Sequence, residues 1–137
     1  MSYKSGNIDY TKPRYYSCEK VVMYSVQRVY DYQGKQPAIL TDRLWPRGVS
    51  KNKLNGVQWC KTISPSTSLR QWFHQDRQQR YSEFCRRYRL ELQQPEQLQQ
   101  LENIRQLHHQ YDQLLLLTAS KDIAHSHVPI LLAALQH

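Results

Sequence analysis

The chain has 137 residues, a formal net charge of +8 at neutral pH and 39% hydrophobic residues. This length is enough for one domain with a core of its own, and the positive charge favours anionic partners such as phosphates, nucleotides or nucleic acid. Three cysteines without close spacing, Cys18, Cys60 and Cys85, predict neither a disulfide framework nor a zinc cluster. We find no signal peptide and no run of about 20 apolar residues. We therefore expect a cytoplasmic protein with reduced thiols and no membrane partner.

The N-terminal third predicts an arm followed by two strands. Residues 1–20 follow neither the helical nor the strand period, so we interpret them as an N-terminal arm and residues 21–137 as a single domain. Val21 to Tyr30 are rich in β-branched and aromatic residues, as in a strand, and turn residues follow them. Ala38 to Thr41 form a second, short strand without alternation. Continuous apolarity predicts that both faces of the sheet are buried.

The rest of the chain alternates helices with strands. Ser50 is placed to cap a short helical turn, Val57 to Ser64 carry a weak strand pattern, and Ser66 or Thr67 begins a helix. Apolar stripes then predict a helix through Tyr81, Phe84, Cys85, Tyr88 and Leu92, a helix starting at Pro95, a core strand from Leu114, and a last helix through Val128, Leu131, Leu132 and Leu135. This order predicts a three-layer α/β fold in a single domain, with a small, mainly parallel sheet flanked by helices.

Two polar segments follow strands of the predicted sheet. They are "TDRLWPRG" after the second strand and "ASKDIAHSH" after the last one. Ligands of open parallel sheets bind beyond the carboxyl ends of the strands, where such loops converge. We therefore predict a site formed by Asp42, Arg43, Trp45, Arg47, Lys121, Asp122, His125 and His127.

The first segment resembles a rigid clamp for an anion. Arg43 and Arg47 offer forked donors to a phosphate or carboxylate, and Trp45 offers a flat face. Pro46 and Gly48 restrict and shape the loop. The alternative is that Trp45 closes the edge of the core and that the arginines pair with nearby acids such as Asp42 or Asp122.

The second segment offers groups for acid–base chemistry. We expect Asp122 to cap the final helix, Lys121 to add a positive charge, and His125 and His127 to lie in the first helical turn. If the protein is an enzyme, Asp122 or His125 is the candidate acid or base. Residues two apart on a helix point apart and no third ligand has metal-site spacing, so we predict no metal site. Nothing in the sequence identifies a cofactor.

An arginine-rich helix provides a second candidate surface. The segment "RQQRYSEFCRRYRLEL", with Lys51, Lys53 and Lys61, is compatible with binding nucleic-acid phosphates, with tyrosines as stacking platforms. A charged, solvated helix face is the alternative interpretation. Ser64, Ser66, Thr67 and Ser68 lie near His74 in the sequence, and helix capping explains them more simply than a nucleophile would.

Several ordered motifs resemble a known family. "RVYD", "DRLWPRGVSK", "SPSTSLRQWF", "FCRRYRLEL" and "KDIAHSH" look like the YeaO-like branch of the bacterial DUF488 family, over about Val21 to Leu135. The resemblance implies the same α/β fold and supplies no reaction. Our first hypothesis is thus a pocket for a nucleotide or another anionic, phosphorylated small molecule, with or without catalysis. The others are a non-enzymatic nucleic-acid-binding module and a purely structural interaction protein, and the oligomeric state stays open.

Overall fold

The structure is a computed structural model that describes residues 24–136. Its strands are β1 (Tyr24–Arg28), β2 (Ala38–Leu40), β3 (Gln58–Trp59) and β4 (Leu114–Thr118), and its helices are α1 (Thr67–His74), α2 (Arg77–Glu91), α3 (Pro95–Tyr111) and α4 (Val128–Leu135). Short 3-10 turns occupy Val29–Asp31, Lys61–Ile63 and Ile123–His125. The predicted arm at residues 1–20 and the predicted strand start at Val21 lie outside the described residues.

The four strands form one parallel sheet in the order β1-β4-β2-β3. In the register, Tyr24 lies beside Leu114 and Ile39 lies between Leu116 and Gln58. The strands β2 and β4 are therefore central, and their carboxyl ends lie side by side at the same end of the sheet. The predicted α/β fold with a small parallel sheet is confirmed.

The two faces of the sheet are covered differently. Ile39, Leu114 and Leu116 pack in one hydrophobic cluster with apolar residues of all four helices. Leu40 and Leu117 belong to a second cluster, the turn-side hydrophobic cluster. Its other residues come from the turn after β1, the loop after β2 and the turns that lead to β3. The layers are thus helices, sheet and a layer of turns. Both faces are buried, as the unbroken apolar runs predict.

Local capping explains where the helices begin. Ser66 accepts a hydrogen bond from the backbone N–H of Leu69 at 3.2 Å, which satisfies a free donor at the start of α1. Pro95 opens α3 as predicted. Ser50 accepts from the N–H of Lys53 at 3.2 Å in the turn before β3.

The predicted start of the last helix is wrong by several residues. Asp122 precedes a 3-10 turn and caps no α-helix with its side chain, while α4 begins at Val128, whose N–H donates to the Ser126 hydroxyl at 3.1 Å. Pro129 explains this start, because proline is favoured in the first turn of a helix and excluded from its interior. His125 therefore lies in the 3-10 turn and His127 directly before α4, rather than together in one helical turn.

Candidate functional site

A cleft of about 670 Å³ opens at the carboxyl ends of β2 and β4. The loop of residues 42–47 and residues 119–122 after β4 line it. The helix-side wall consists of Pro65 before α1, Arg70 and His74 of α1, and Arg77 of α2. Every residue of the predicted site lines this cleft except His125. The two segments chosen from the sequence therefore do meet at one edge of the sheet.

Asp42 joins the two central strands at the base of the cleft. Its Oδ1 accepts from the Thr118 hydroxyl at 2.8 Å and its Oδ2 accepts from the backbone N–H of Ala119 at 2.7 Å. Its side chain is only 15% exposed. Both carboxylate oxygens are thus used to hold the end of β4 against the loop after β2, and Asp42 positions the site rather than presenting a free carboxylate.

His127 is buried behind Asp42. Its Nε2 lies 3.0 Å from the carbonyl oxygen of Thr41, which can only accept, so this nitrogen carries the proton. The same nitrogen is 3.5 Å from Oδ1 of Asp42. Burial lowers the pKa of His127 below its ordinary value, and the charge of Asp42 and the hydrogen bond to Thr41 oppose this only in part. His127 is therefore a neutral, internally bonded residue at the back of the cleft.

The two loop arginines have different roles. Arg43 donates from Nε to the carbonyl oxygen of Pro65 at 2.9 Å and from Nη2 to that of Ser64 at 3.1 Å. It therefore fastens the loop to the segment that enters α1. Arg47 is exposed, and its side chain makes no hydrogen bond or ion pair with the described residues. The alternative interpretation, in which the arginines pair with Asp42 or Asp122, does not hold among these residues, since Asp42 bonds Thr118 and Ala119 and Arg43 contacts carbonyls.

Trp45 combines the two roles that the sequence left open. Its indole Nε1 donates to the carbonyl oxygen of Val49 at 2.7 Å, and its ring and that of Trp59 form a T-shaped pair at a centroid distance of 5.2 Å. It packs on the turn-side hydrophobic cluster and also lines the cleft. Lys51 places its Nζ 4.5 Å from the Trp45 ring centroid, close enough for a cation–π contact. Trp45 seals the core and offers part of its surface to the cleft.

The residues after β4 divide between two neighbouring depressions. Lys121 is exposed in the cleft and makes no hydrogen bond or ion pair with residues 24–136. Asp122 lines the cleft and also a second depression that His125 shares with Tyr81 and Ser82. His125 Nδ1 lies 3.0 Å from Asp122 Oδ2, and both side chains are mostly exposed. His125 is therefore outside the cleft that holds the other predicted residues.

Sequence reasoning missed the helix-side wall of the cleft. Arg70 and His74 stand four residues apart on α1, a spacing that puts them on one face, and Arg77 begins α2. In the sequence, His74 stands out only by its proximity to a cluster of serines. The spacing of Arg70 and His74 was the available signal, but it does not reveal that this face is turned toward the loop after β2.

The cations of the cleft lack acidic partners. Arg43, Arg47, Arg70, Arg77 and Lys121 line it, and none of these five forms an ion pair within the described chain. Arg43 is held by two carbonyl groups. The two carboxylates of the cleft are bonded to internal groups, Asp42 to Thr118 and Ala119 and Asp122 to His125. Five cations against two carboxylates leave this concave surface with a net positive charge, which attracts an anion.

Several side chains of the arginine-rich helix α2 are bonded within the protein rather than free for a partner. Arg86 and Arg87 both bond Glu83, with the shortest distances at 2.6 and 2.9 Å. These arginines hold the pKa of Glu83 at about 2, below its usual range. Arg80 donates to the carbonyl oxygen of Trp72 at 2.6 Å. Tyr88 is fully buried, so it provides no stacking platform for a base.

Residues 24–136 show neither a metal-binding cluster nor a membrane-spanning helix. No cluster of at least three metal-ligating side chains is present in this part of the chain. None of its helices combines the length and apolar character that a membrane crossing requires.

The fold is that of a small single-domain α/β protein with a cationic cleft at the carboxyl ends of the central strands of a parallel sheet. A family model described as the inactive DUF488-N3 subclade matches residues 23–137. The chain therefore belongs to the DUF488 family, which confirms the resemblance in its motifs.

The similar proteins carry no assigned activity. An uncharacterised protein of Mycobacterium tuberculosis is 33% identical over 93 residues, which cover 68% of this chain and 75% of the relative. The uncharacterised protein YeaO of Escherichia coli is 47% identical over 73 residues, which cover 52% of this chain and 63% of YeaO. No solved structure matches the chain.

Proposed function

We propose that this protein binds a nucleotide or another phosphorylated, anionic small molecule in the cleft between the loop of residues 42–47 and the segment after β4. The observation that carries the proposal is the set of five cleft cations, Arg43, Arg47, Arg70, Arg77 and Lys121, none of which has an acidic partner among the described residues. An anion bound there gains charge-assisted hydrogen bonds and displaces no internal salt bridge. The aromatic and apolar groups of Tyr30, Leu44 and Trp45 on the loop side suit the uncharged part of such a ligand.

Binding without turnover is the form of this proposal that we favour. The matching family model is described as an inactive subclade. Asp42 and His127, the buried pair of the site, are occupied with internal hydrogen bonds. That Asp122 or His125 is the acid or base of an enzyme stays a prediction, and His125 lies outside the cleft.

Thermal shift with a panel of nucleotides tests the proposal. We expect at least one phosphorylated ligand to raise the Tm of the wild-type protein and Arg47→Ala to abolish that shift without lowering the Tm of the free protein. Arg89→Ala is the matched control, because Arg89 is an exposed arginine outside the cleft. A panel that leaves the wild-type Tm unchanged, or equal shifts in wild type and Arg47→Ala, would contradict the proposal.

A further inference from the structure

We propose that the helix-side wall of the cleft, formed by Arg70, His74 and Arg77, holds the terminal phosphate dianion of a phosphate monoester. Arg47 adds its charge from the loop, while Tyr30, Leu44 and Trp45 contact the uncharged part of the ligand. This assignment rests on the proposed function and adds to it the position and the charge state of the ligand's anion.

Arg70 is a cation without a counter-charge. It lines the cleft, and its Nε is buried without a hydrogen-bond partner in the described part of the chain. A buried donor that lacks a partner is unfavourable, and a guanidinium is well suited to bind two oxygens of a phosphate. An anion in the cleft would give this guanidinium the negative partner that it lacks.

His74 is arranged to donate rather than to accept. Nη1 of Arg77 lies 3.5 Å from Nδ1 of His74, and because a guanidinium only donates, Nδ1 accepts and Nε2 carries the proton. Partial burial, then the charges of Arg77 and Arg70, lower the pKa of His74. The neutral imidazole therefore keeps an N–H at Nε2 for a ligand oxygen. The other charged groups that line the cleft are Asp42, Arg43, Arg47, Lys121 and Asp122.

The wall is fixed in place before any ligand binds. Glu91 at the end of α2 accepts from the backbone N–H of Ser66 at 2.9 Å and from its hydroxyl at 2.5 Å. Arg43 holds the two preceding carbonyl groups. The start of α1 is thus bound from two sides, and the face that carries Arg70 and His74 keeps its orientation toward the loop.

Three side chains with separate donors suit a tetrahedral anion better than a planar one. A phosphate monoester carries three terminal oxygens and nearly two negative charges at pH 7.5, because its second pKa is about 6. A phosphodiester offers two terminal oxygens and one charge, and a carboxylate offers the same. We therefore expect the cleft to prefer monoesters.

Isothermal titration at pH 7.5 tests the assignment with AMP, 3′,5′-cyclic AMP and inorganic phosphate as probes. We expect AMP to bind about tenfold or more tightly than cyclic AMP, which corresponds to the loss of one charge-assisted contact. Arg70→Gln, His74→Phe and Arg77→Gln should each weaken AMP about tenfold and affect cyclic AMP less. Arg70→Lys keeps the charge and should retain part of the affinity, which separates loss of the contact from loss of the fold.

The outcomes separate this assignment from the proposed function. If AMP binds and Arg47→Ala weakens it while Arg70→Gln and Arg77→Gln do not, the phosphate lies on the loop side, and the assignment is wrong while the proposed function stands. Equal affinities for AMP and cyclic AMP would also overturn the assignment alone. If neither AMP, cyclic AMP nor inorganic phosphate binds the wild-type protein, and the nucleotide panel leaves its Tm unchanged, both fail.

Discussion

Two neighbouring residues of the loop after β2, Asp42 and Arg43, hold opposite sides of the cleft. Asp42 bonds the end of β4, and Arg43 bonds the segment before α1. Residues of these types at a cleft are ordinarily candidates for chemistry or ligand binding. Here their polar groups are used in internal hydrogen bonds, so their main contribution is to the geometry of the site.

Removing the carboxylate of Asp42 should destabilise the protein. Asp42→Ala leaves the Thr118 hydroxyl and the Ala119 N–H without their acceptor, at a cost of about 2–4 kcal/mol in the free energy of unfolding. Asp42→Asn keeps one acceptor oxygen and should cost less. Urea denaturation followed by circular dichroism measures both. If Asp42→Ala unfolds at the wild-type urea concentration, the inferred role of these bonds is wrong.

His127 predicts a loss of stability in mild acid. Its pKa in the folded protein is lowered from the ordinary value of 6.5, so below that pH the unfolded chain binds a proton that the folded chain does not. The free energy of unfolding should therefore fall as the pH drops below about 6.5, toward the folded-state pKa.

Urea titrations at a series of pH values between about 7.5 and 5 test this effect of His127. His127→Gln should be less stable at neutral pH and should show a shallower decline in acid. His109→Gln is a control, because His109 is exposed. If the free energy of unfolding falls equally steeply with decreasing pH in wild type and in His127→Gln, groups other than His127 cause the loss of stability.

At the scale of elements, the loop after β2 is attached to the start of α1. Local sequence patterns do not predict this contact. Arg43 reaches carbonyl groups 21 and 22 residues further along the chain. Tyr88 of α2 adds a hydrogen bond to the carbonyl oxygen of Ile63. The chain that enters α1 is thereby held by the loop and by α2 together.

Arg43 and Arg47 should respond differently to the same substitution. Arg43→Ala removes two hydrogen bonds from a charged donor to buried or half-buried carbonyl groups, and we expect a loss of about 2–3 kcal/mol in the free energy of unfolding. Arg47→Ala removes an exposed side chain without such bonds and should change stability by less than about 0.5 kcal/mol. Thermal denaturation of the two variants side by side makes the comparison. Equal destabilisation would mean that Arg47 has a structural partner.

The elements with strong periodic patterns were predictable from the sequence. The apolar stripe through Phe84, Tyr88 and Leu92 identifies α2, and the run from Leu114 identifies β4 as a strand buried on both faces. The strand predicted within Val57 to Ser64 covers only Gln58–Trp59, because Lys61–Ile63 form a 3-10 turn. A weak alternation of this kind is decided by tertiary packing rather than by local preference.

The candidate site was only half predictable. Residues 42–47 and 119–122 could be placed together because both follow strands of a parallel sheet, and that rule depends only on topology. The helix-side wall depends on how α1 packs against α2 and on how Arg43 attaches the loop to Ser64 and Pro65 before α1. Neither contact follows from the periodicity of the sequence. The different roles of Arg43 and Arg47 also depend on those long-range contacts.

At the scale of the whole molecule, the net charge of +8 leaves nucleic-acid binding as the competing prediction. Such binding should weaken steeply with salt, with a slope of about 0.9 per contacted phosphate on a duplex. Gel shifts with single-stranded and duplex DNA at low salt, with Arg89→Ala and Arg47→Ala compared, locate the surface involved. Loss of binding in Arg89→Ala alone would favour the arginine-rich helix, and no shift at low salt would end this hypothesis.

The double attachment through Asp42 and Arg43 also has a kinetic consequence. A loop fixed at its base to both β4 and the start of α1 does not need to fold over an incoming molecule. Binding would then lose little chain entropy, and encounter by diffusion, accelerated by the positive charge of the cleft, would set the association rate. Differences in affinity between ligands would accordingly appear in how long each one stays bound.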